Sequence, residues 1–150
     1  MGQSLSKVYV HIIFSTKNRQ SLIDEFIKNS LFDYIGGICK RLNCNPVKVG
    51  GYKDHVHVLC LLSKHIAQTK LLEEIKRSSS KWIKGKEKKY SNFYWQDGYA
   101  IYSVKHTDLD LVSKYIEDQG EHHSKRSFKD ELRMLLKKYD IEFDERYIWD

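Results

Sequence analysis

The stretch "DHVHVLCLL", residues 54–62, restricts the possible folds more than any other part of the chain. Its apolar residues recur at a period of two, which makes it a strand, because side chains i and i+2 of a strand share a face. His55 and His57 are therefore neighbours on one side, while Val56, Val58 and Cys60 point to the other. One face can join a core. The other begins with two imidazoles where leucine or valine would serve packing better, so it is laid out as a site.

The remaining pattern supplies the partners of this strand. "VYVHIIF" (8–14) alternates, with Val8, Val10, Ile12 and Phe14 on one face and Tyr9, His11 and Ile13 on the other. Ser21 with Asp24 reads as a capping box opening a helix toward Asn43, carried by Ile23, Ile27, Tyr34, Ile38 and Leu42. "PVKVGGY" and "HVHVLCLL" form a hairpin that turns at Tyr52 to Asp54. The spacing predicts a second helix over Thr69 to Lys84, with Leu71, Leu72, Ile75, Ser79, Trp82 and Ile83 inward and Lys76, Arg77, Lys81 and Lys84 outward. After a basic, aromatic loop comes a fourth strand, residues 99–105. Thr107 and Asp110 suggest a capping box for a helix from Asp108 to Gln119, ended by Gly120. A basic link (121–127), a helix from Phe128 to Tyr139 and an acidic aromatic tail complete the chain. Short connections between these elements predict an α+β fold: a ferredoxin-like or RRM-like antiparallel sheet with helices packed on it and an extra C-terminal helix.

Composition narrows the class. With 150 residues, 41% of them hydrophobic, residues 1–150 are expected to form one domain. Lys and Arg outnumber Asp and Glu 26 to 20, which favours a polyanionic partner. Cys39, Cys44 and Cys60 include no C-x-x-C pair, so neither a disulfide framework nor a zinc finger is supported. No apolar stretch has the length needed to cross a bilayer and the N-terminus lacks a secretory pattern, so the expectation is a cytoplasmic protein with no membrane partner.

On the helix expected at 108–119, Tyr115 and Gln119 lie four positions apart, about 40° from each other around the axis. They border the apolar stripe of Leu109, Val112 and Ile116, so the phenol and the amide travel together to whatever surface that stripe covers. Two imidazoles and an amide oxygen can hold a divalent ion and leave positions open for a phosphate oxygen. All three groups are neutral, so the empty site should bind a hard cation weakly. Tyr115 could then attack the phosphorus in line, with the cation assisting ionisation of a phenol whose reference pKa is near 10.

Other residues carry weaker signals. His11 reads as a hydrogen-bonded structural histidine, and His122 and His123 as solvated. Lys76, Arg77, Lys81, Lys84 and Trp95 are candidate DNA contacts: the cations form one helix face, and loop rings such as Phe93, Tyr94 and Trp95 could stack on unpaired bases. Two other readings of the residues stand beside the phosphoryl-transfer one. One is a non-catalytic single-stranded nucleic-acid-binding module on the same sheet. The other is a zinc hydrolase using His55, His57 and a cysteine, though no cysteine has a supporting spacing.

His55-Val56-His57 on a strand, followed by Tyr115-x-x-x-Gln119, resembles the HUH single-tyrosine transposases of the insertion-sequence 200/605 type, which include the REP-associated tyrosine transposases. "VYVHIIFSTKNR", "SSSKWI" and "WQDGYAIYSV" are similar to family segments as well, although Ala100 stands where a second glycine is expected. The resemblance implies a metal-dependent enzyme with His55, His57 and Gln119 as ligands of Mg2+ or Mn2+ and Tyr115 as nucleophile. It implies cleavage of single-stranded DNA hairpins at mobile-element ends, a covalent 5′-phosphotyrosine, and rejoining by the freed 3′-hydroxyl. No nucleotide cofactor is implied, since the phosphotyrosine conserves the bond energy, and the working form is expected to be a homodimer.

Overall fold

The computed structural model describes residues 2–123 and 125–150; Ser124, within the basic link, lies outside them. Alternation in the sequence becomes four strands: β1 (Tyr9–Ser15), β2 (Pro46–Tyr52), β3 (His55–Leu61) and β4 (Ala100–Val104). They form one antiparallel sheet in the order β2-β3-β1-β4. Helices α1 (Lys28–Arg41) and α2 (Gln68–Lys84) cover one face. Helices α3 (Leu109–Glu117), α4 (Gln119–His123) and α5 (Phe128–Lys138) cover the other. This is the α+β, ferredoxin-like arrangement that the order of elements implied, with the C-terminal helix added.

The period of two sorts the strands between two cores. Val10, Ile12 and Phe14 of β1 join Val56, Val58 and Cys60 of β3 beneath Leu31, Ile35 and Ile38 of α1 and Leu71, Leu72 and Ile75 of α2. Ile13 and Tyr102 face the opposite layer with Phe128, Leu132, Leu135 and Leu136 of α5. Leu59 and Val104 meet Ile116 of α3. In register, His57 sits opposite Ile13 and His55 opposite Ser15, so both imidazoles lie in the layer under α3 to α5. Cys39, Cys44 and Cys60 are buried free thiols. Among the described residues, no helix is long and apolar enough to cross a membrane.

Three boundaries differ from the sequence expectation. Helix α1 starts at Lys28 rather than near Ser21, because the Ile23 amide is taken by Lys53 O at 2.9 Å and draws that segment onto the hairpin turn. Asp24 closes the turn that precedes α1, its Oδ1 accepting from the Ile27 amide at 3.0 Å, and α1 itself has no side-chain cap. The Thr107/Asp110 box does not form; residues 106–108 make a 3-10 turn and α3 has no side-chain cap. Nor does Gly120 end the helix. The backbone departs from helical geometry at Asp118, and Gly120 lies inside α4.

The loop at 85–98 is more buried than its composition suggests. Phe93 is fully buried and Trp95 only 7% exposed. Trp95 packs edge-on against Phe14 and Phe93, and its indole N–H donates to Ser79 Oγ at 2.9 Å. The Trp95 indole, expected as a ring for stacking on bases, is thus packed in the core of the α1/α2 layer. Lys76 is likewise committed, since its ammonium donates to the carbonyls of Gln96, Asp97 and Gly98 at 2.7–3.0 Å. Burial pushes its pKa down to about 8. The acidic aromatic tail docks beside this loop. Gly98 N donates to Asp150 O and Arg19 to Trp149 O, while the Trp149 ring lies against Arg19, Lys129 and Arg133.

One glycine, Gly50, lets the tyrosine-bearing helix reach the sheet. A Cβ on Gly50 would sit 2.8 Å from Ile116 Cγ2 and 3.1 Å from Ile116 O, so α3 can rest on β2 only if this position lacks a side chain. Gly37, exposed on α1, has open space around it. Gly50→Ala should therefore lose about 1–3 kcal/mol through overpacking, whereas Gly37→Ala should gain roughly 0.5–1 kcal/mol from helix propensity. Urea denaturation of the two variants checks this, and equal effects would remove the proposed close approach of α3.

Candidate active site

The histidine pair of β3 is fully buried. Asp54, at the hairpin turn, places Oδ1 2.7 Å from His55 Nδ1 and fixes the ring so that Nε2 faces the interior of the layer. Asp54 is itself held by its carbonyl, which accepts from the Thr16 amide at 2.8 Å. His57 Nδ1 lies 2.8 Å from His11 Nε2, and His11 Nδ1 lies 3.0 Å from the Tyr102 hydroxyl. Two tautomer sets fit these contacts: Tyr102 O–H donates to His11, His11 Nε2–H to His57 and His57 Nε2–H to Glu131, or the reverse, His57 Nδ1–H to His11 Nε2 and His11 Nδ1–H to the Tyr102 oxygen, which leaves His57 Nε2 free for a metal. His11 is thus the hydrogen-bonded support that its position on β1 suggested.

Tyr115 and Gln119 arrive together above this pair, at the end of α3 and the start of α4. Gln119 is fully buried, with Oε1 2.8 Å from His55 Nε2. Tyr115 is half-buried, and its ring stands edge-on to His57 with centroids 5.9 Å apart. His55, His57, Tyr115 and Gln119, singled out by spacing together with the family resemblance, converge on one place. Arg77, Lys81 and Lys84 do not join them, because α2 lies on the opposite face of the sheet. Arg77 pairs with Glu74, and Lys84 Nζ sits 3.8 Å from the centroid of the exposed Tyr94 ring.

A residue that the sequence reading did not single out stands at the centre. Glu131 of α5 is 1% exposed. Its Oε1 lies 3.2 Å from His57 Nε2, 3.4 Å from His55 Nε2 and 3.2 Å from His123 Nε2. Its Oε2 accepts from the Tyr115 hydroxyl and from Gln119 Nε2, the latter at 2.9 Å. The signal for Glu131 was a charge on an apolar stripe, between Phe128 and Leu132, Leu135 and Leu136. His122 and His123 are also packed rather than solvated. The His122 ring stacks on Tyr115 at 4.7 Å, and the His123 ring lies between Tyr52 and His55.

The electrostatics follow from burial and from this carboxylate. Burial alone would lower the His55 pKa, but Asp54 and Glu131 raise it to about 9. His57 and His11 go the other way, each held below the usual imidazole value chiefly by burial. Burial would raise Glu131, yet the surrounding imidazoles, His57 foremost, hold it well below the usual carboxylate range. Burial, reinforced by the carboxylate beside it, pushes the Tyr115 phenol up. The phenol therefore needs a nearby cation if it is to ionise near neutral pH.

The donor set fits a divalent ion. The ligand atoms of His55, His57 and Glu131 lie within 4.8 Å of one another, with Gln119 Oε1 alongside. Asp54 and His11 would orient the two rings from behind, as partners of metal-bound histidines do. Glu131 also changes the charge. A site expected to be neutral carries a carboxylate, which favours binding of a hard cation before any substrate arrives.

Comparison with known proteins places this geometry in context. Residues 4–119 match the profile of a protein family described as "Transposase IS200 like". The chain is 24% identical over 116 residues to the ISDra2 transposase TnpA of Deinococcus radiodurans, an alignment covering 74% of this chain and 83% of that protein. A crystal structure of a candidate transposase from Deinococcus radiodurans shares the fold with a TM-score of 0.62 at 20% identity, covering 79% of this chain and 96% of that one. A REP-associated tyrosine transposase bound to a REP hairpin gives a TM-score of 0.59 at 16% identity, covering 82% and 73%.

The raised pKa of His55 makes stability depend on pH. A group whose pKa is higher in the folded state contributes fully below its unfolded value, near 6.5, and loses that contribution as pH rises through about 9. His57, His11 and Glu131, all depressed, have the opposite sign and weaken the fold on acidification. Metal-free protein should thus be most stable near neutrality. It should lose on the order of 3 kcal/mol between pH 6.5 and 9.5, and His55→Gln should flatten this alkaline limb. Denaturation midpoints in chelator across that range provide the measurement, and an unchanged slope in the variant would exclude His55 as the titrating group.

Proposed function

Because the chain belongs to the IS200-like transposase family, we propose that it cleaves and rejoins single-stranded DNA at mobile-element ends through a covalent 5′-phosphotyrosine on Tyr115. The observation that carries this reading is the convergence of the Tyr115 hydroxyl and the Nε2 atoms of His55 and His57 on the two oxygens of one buried carboxylate, Glu131. A carboxylate ringed by imidazoles, an amide N–H and a phenol occupies an environment that would also suit the anionic oxygens of a phosphodiester.

His55, His57 and Glu131, with Gln119 Oε1, would hold a divalent cation, Mg2+ or Mn2+ in this reading. Such an ion, when bound, supplies charge neutralisation on the phosphate and lowers the cost of ionising the nucleophile. Everything else falls to the side chains. Asp54 and His11 orient the two imidazoles. Tyr115 Oη attacks phosphorus as the bond to the 3′-oxygen breaks, leaving the 5′-phosphate on the enzyme and a 3′-hydroxyl on the DNA. The tyrosine's proton already lies in a hydrogen bond to Glu131 Oε2, the available acceptor. The reverse attack by a 3′-hydroxyl rejoins the strand, and no nucleotide cofactor enters.

Glu131, His55, His57 and Gln119 are all closed off from solvent, so DNA entry requires the layer of α3, α4 and α5 above the sheet to yield. The hairpin bound by the REP-associated neighbour supports a hairpin substrate for this chain, and we take the working form to be a homodimer. Arg77, Lys81 and Lys84 remain candidates for backbone contacts away from the reacting phosphate.

Wild-type protein incubated with labelled single-stranded hairpin DNA and Mg2+ or Mn2+ should form a protease-sensitive adduct on a denaturing gel. Tyr115→Phe should form none, and chelator should abolish the adduct. DNA retarded on a native gel with no adduct from any hairpin of the element's own ends would favour a non-catalytic binding module.

A further inference from the structure

Tyr102 is a buried residue whose hydroxyl the proposed reaction leaves unused, yet it ends a row of contacts that begins at the metal site. Its hydroxyl lies 3.0 Å from His11 Nδ1, His11 Nε2 lies 2.8 Å from His57 Nδ1, and His57 Nε2 lies 3.2 Å from Glu131 Oε1. The sheet itself holds this row, because β4, β1 and β3 are neighbours and Tyr102 sits opposite His11 in register. Stacking on Tyr139, with centroids 3.8 Å apart, fixes the Tyr102 ring. Burial holds both imidazoles below their usual pKa, so each is neutral and carries one proton, on one nitrogen or the other.

The Glu131 end decides the direction of every bond in the row. A carboxylate oxygen facing His57 Nε2 requires a proton on that nitrogen, so His57 Nδ1 accepts from His11 Nε2–H and His11 Nδ1 accepts from Tyr102 O–H. A cation held by His57 Nε2 requires the lone pair there instead. The proton then stands on Nδ1, and donation runs from His57 to His11 and from His11 to the Tyr102 oxygen. We propose that Tyr102 and His11 are positioning residues that switch the tautomer of His57 as the metal site fills, the tyrosine hydroxyl changing from donor to acceptor. The proposal rests on the metal-dependent reading of the site given above. One proton leaves at His57 Nε2 and one enters at the Tyr102 oxygen, so all three side chains keep their charge. A hydroxyl suits the far end because it can either donate or accept while neutral. Phenylalanine there would leave the His11 Nδ1–H of the filled site buried without an acceptor.

Long-range proton–nitrogen NMR correlations on the purified, metal-free protein labelled with nitrogen-15 histidine, before and after saturation with Mg2+, test the assignment. Without metal, His57 and His11 should both show the Nε2–H pattern; with Mg2+, both should show the Nδ1–H pattern. His11 stands outside the group that could hold the ion, so its change reports the switch and not ligation. Tyr102→Phe keeps the ring that stacks on Tyr139, and thermal unfolding shows that its fold persists. Calorimetric titration of this variant should give Mg2+ affinity roughly 2- to 10-fold weaker than wild type, the value of one neutral hydrogen bond. The same His11 tautomer with and without Mg2+, or wild-type Mg2+ affinity in Tyr102→Phe, would overturn the switch while leaving metal dependence intact. No response of His55 or His57 to Mg2+ or Mn2+ would overturn the metal-dependent reading as well, so the two failures are distinguishable.

Discussion

A carboxylate buried in a protein layer is tolerated only if charge and hydrogen-bond donors surround it, and Glu131 sets this condition for the whole helical face of the sheet. Its two oxygens meet groups from β3, α3 and α4. Removing any one partner leaves a fuller negative charge in a place that water does not reach. The docking of α5 is therefore tied to the positions of His55, His57, Tyr115 and Gln119, not only to the apolar stripe of Phe128, Leu132, Leu135 and Leu136. Stability and site geometry are one constraint here, since the same contacts that neutralise Glu131 gather the residues of the site.

The sheet makes that gathering possible by separating its two faces. Val56, Val58 and Cys60 pack beneath α1 and α2, freeing the other side of β3 for imidazoles. Supports then come from neighbouring elements: Asp54 from the turn, His11 from β1 and Tyr102 from β4. Glycine at position 50 lowers α3 onto β2, and the C-terminal tail, anchored through Trp149 and Asp150, brackets α5. Each device brings a polar group to a dry layer with its hydrogen bonds already made, as buried polar networks require.

Much of this was legible in the residues. Alternation assigned the faces of β1 and β3 because a strand's geometry is local, and the two histidines needed nothing beyond their neighbours in sequence to share a side. Tyr115 and Gln119 were paired by the helical repeat in the same way. Capping was read less well. Ser21 and Thr107 have the right chemistry at the right spacing, yet the Ile23 amide is bonded to the hairpin turn and residues 106–108 tighten into a 3-10 turn, both outcomes of tertiary contacts. The burial of Trp95 and the anchoring of Lys76 were not legible for a related reason: a loop rich in aromatic and basic residues looks exposed until Trp95 finds Phe14 and the Lys76 ammonium of α2 finds three of its carbonyls.

The sequence by itself determined which side chains share a face, and with that the fold class and the pairing of His55 with His57 and of Tyr115 with Gln119, because periods of two and 3.6 are fixed by backbone geometry within a few residues. Only the tertiary structure decided that Glu131, on a helix that could have shown it to solvent, turns inward to stand among three imidazoles, and that His123 leaves the link to face it. Those choices depend on the docking of α4 and α5 against strands that lie far away in the chain. Such docking is set by the summed burial of an apolar stripe and the neutralisation of one charge, neither of which any local pattern encodes.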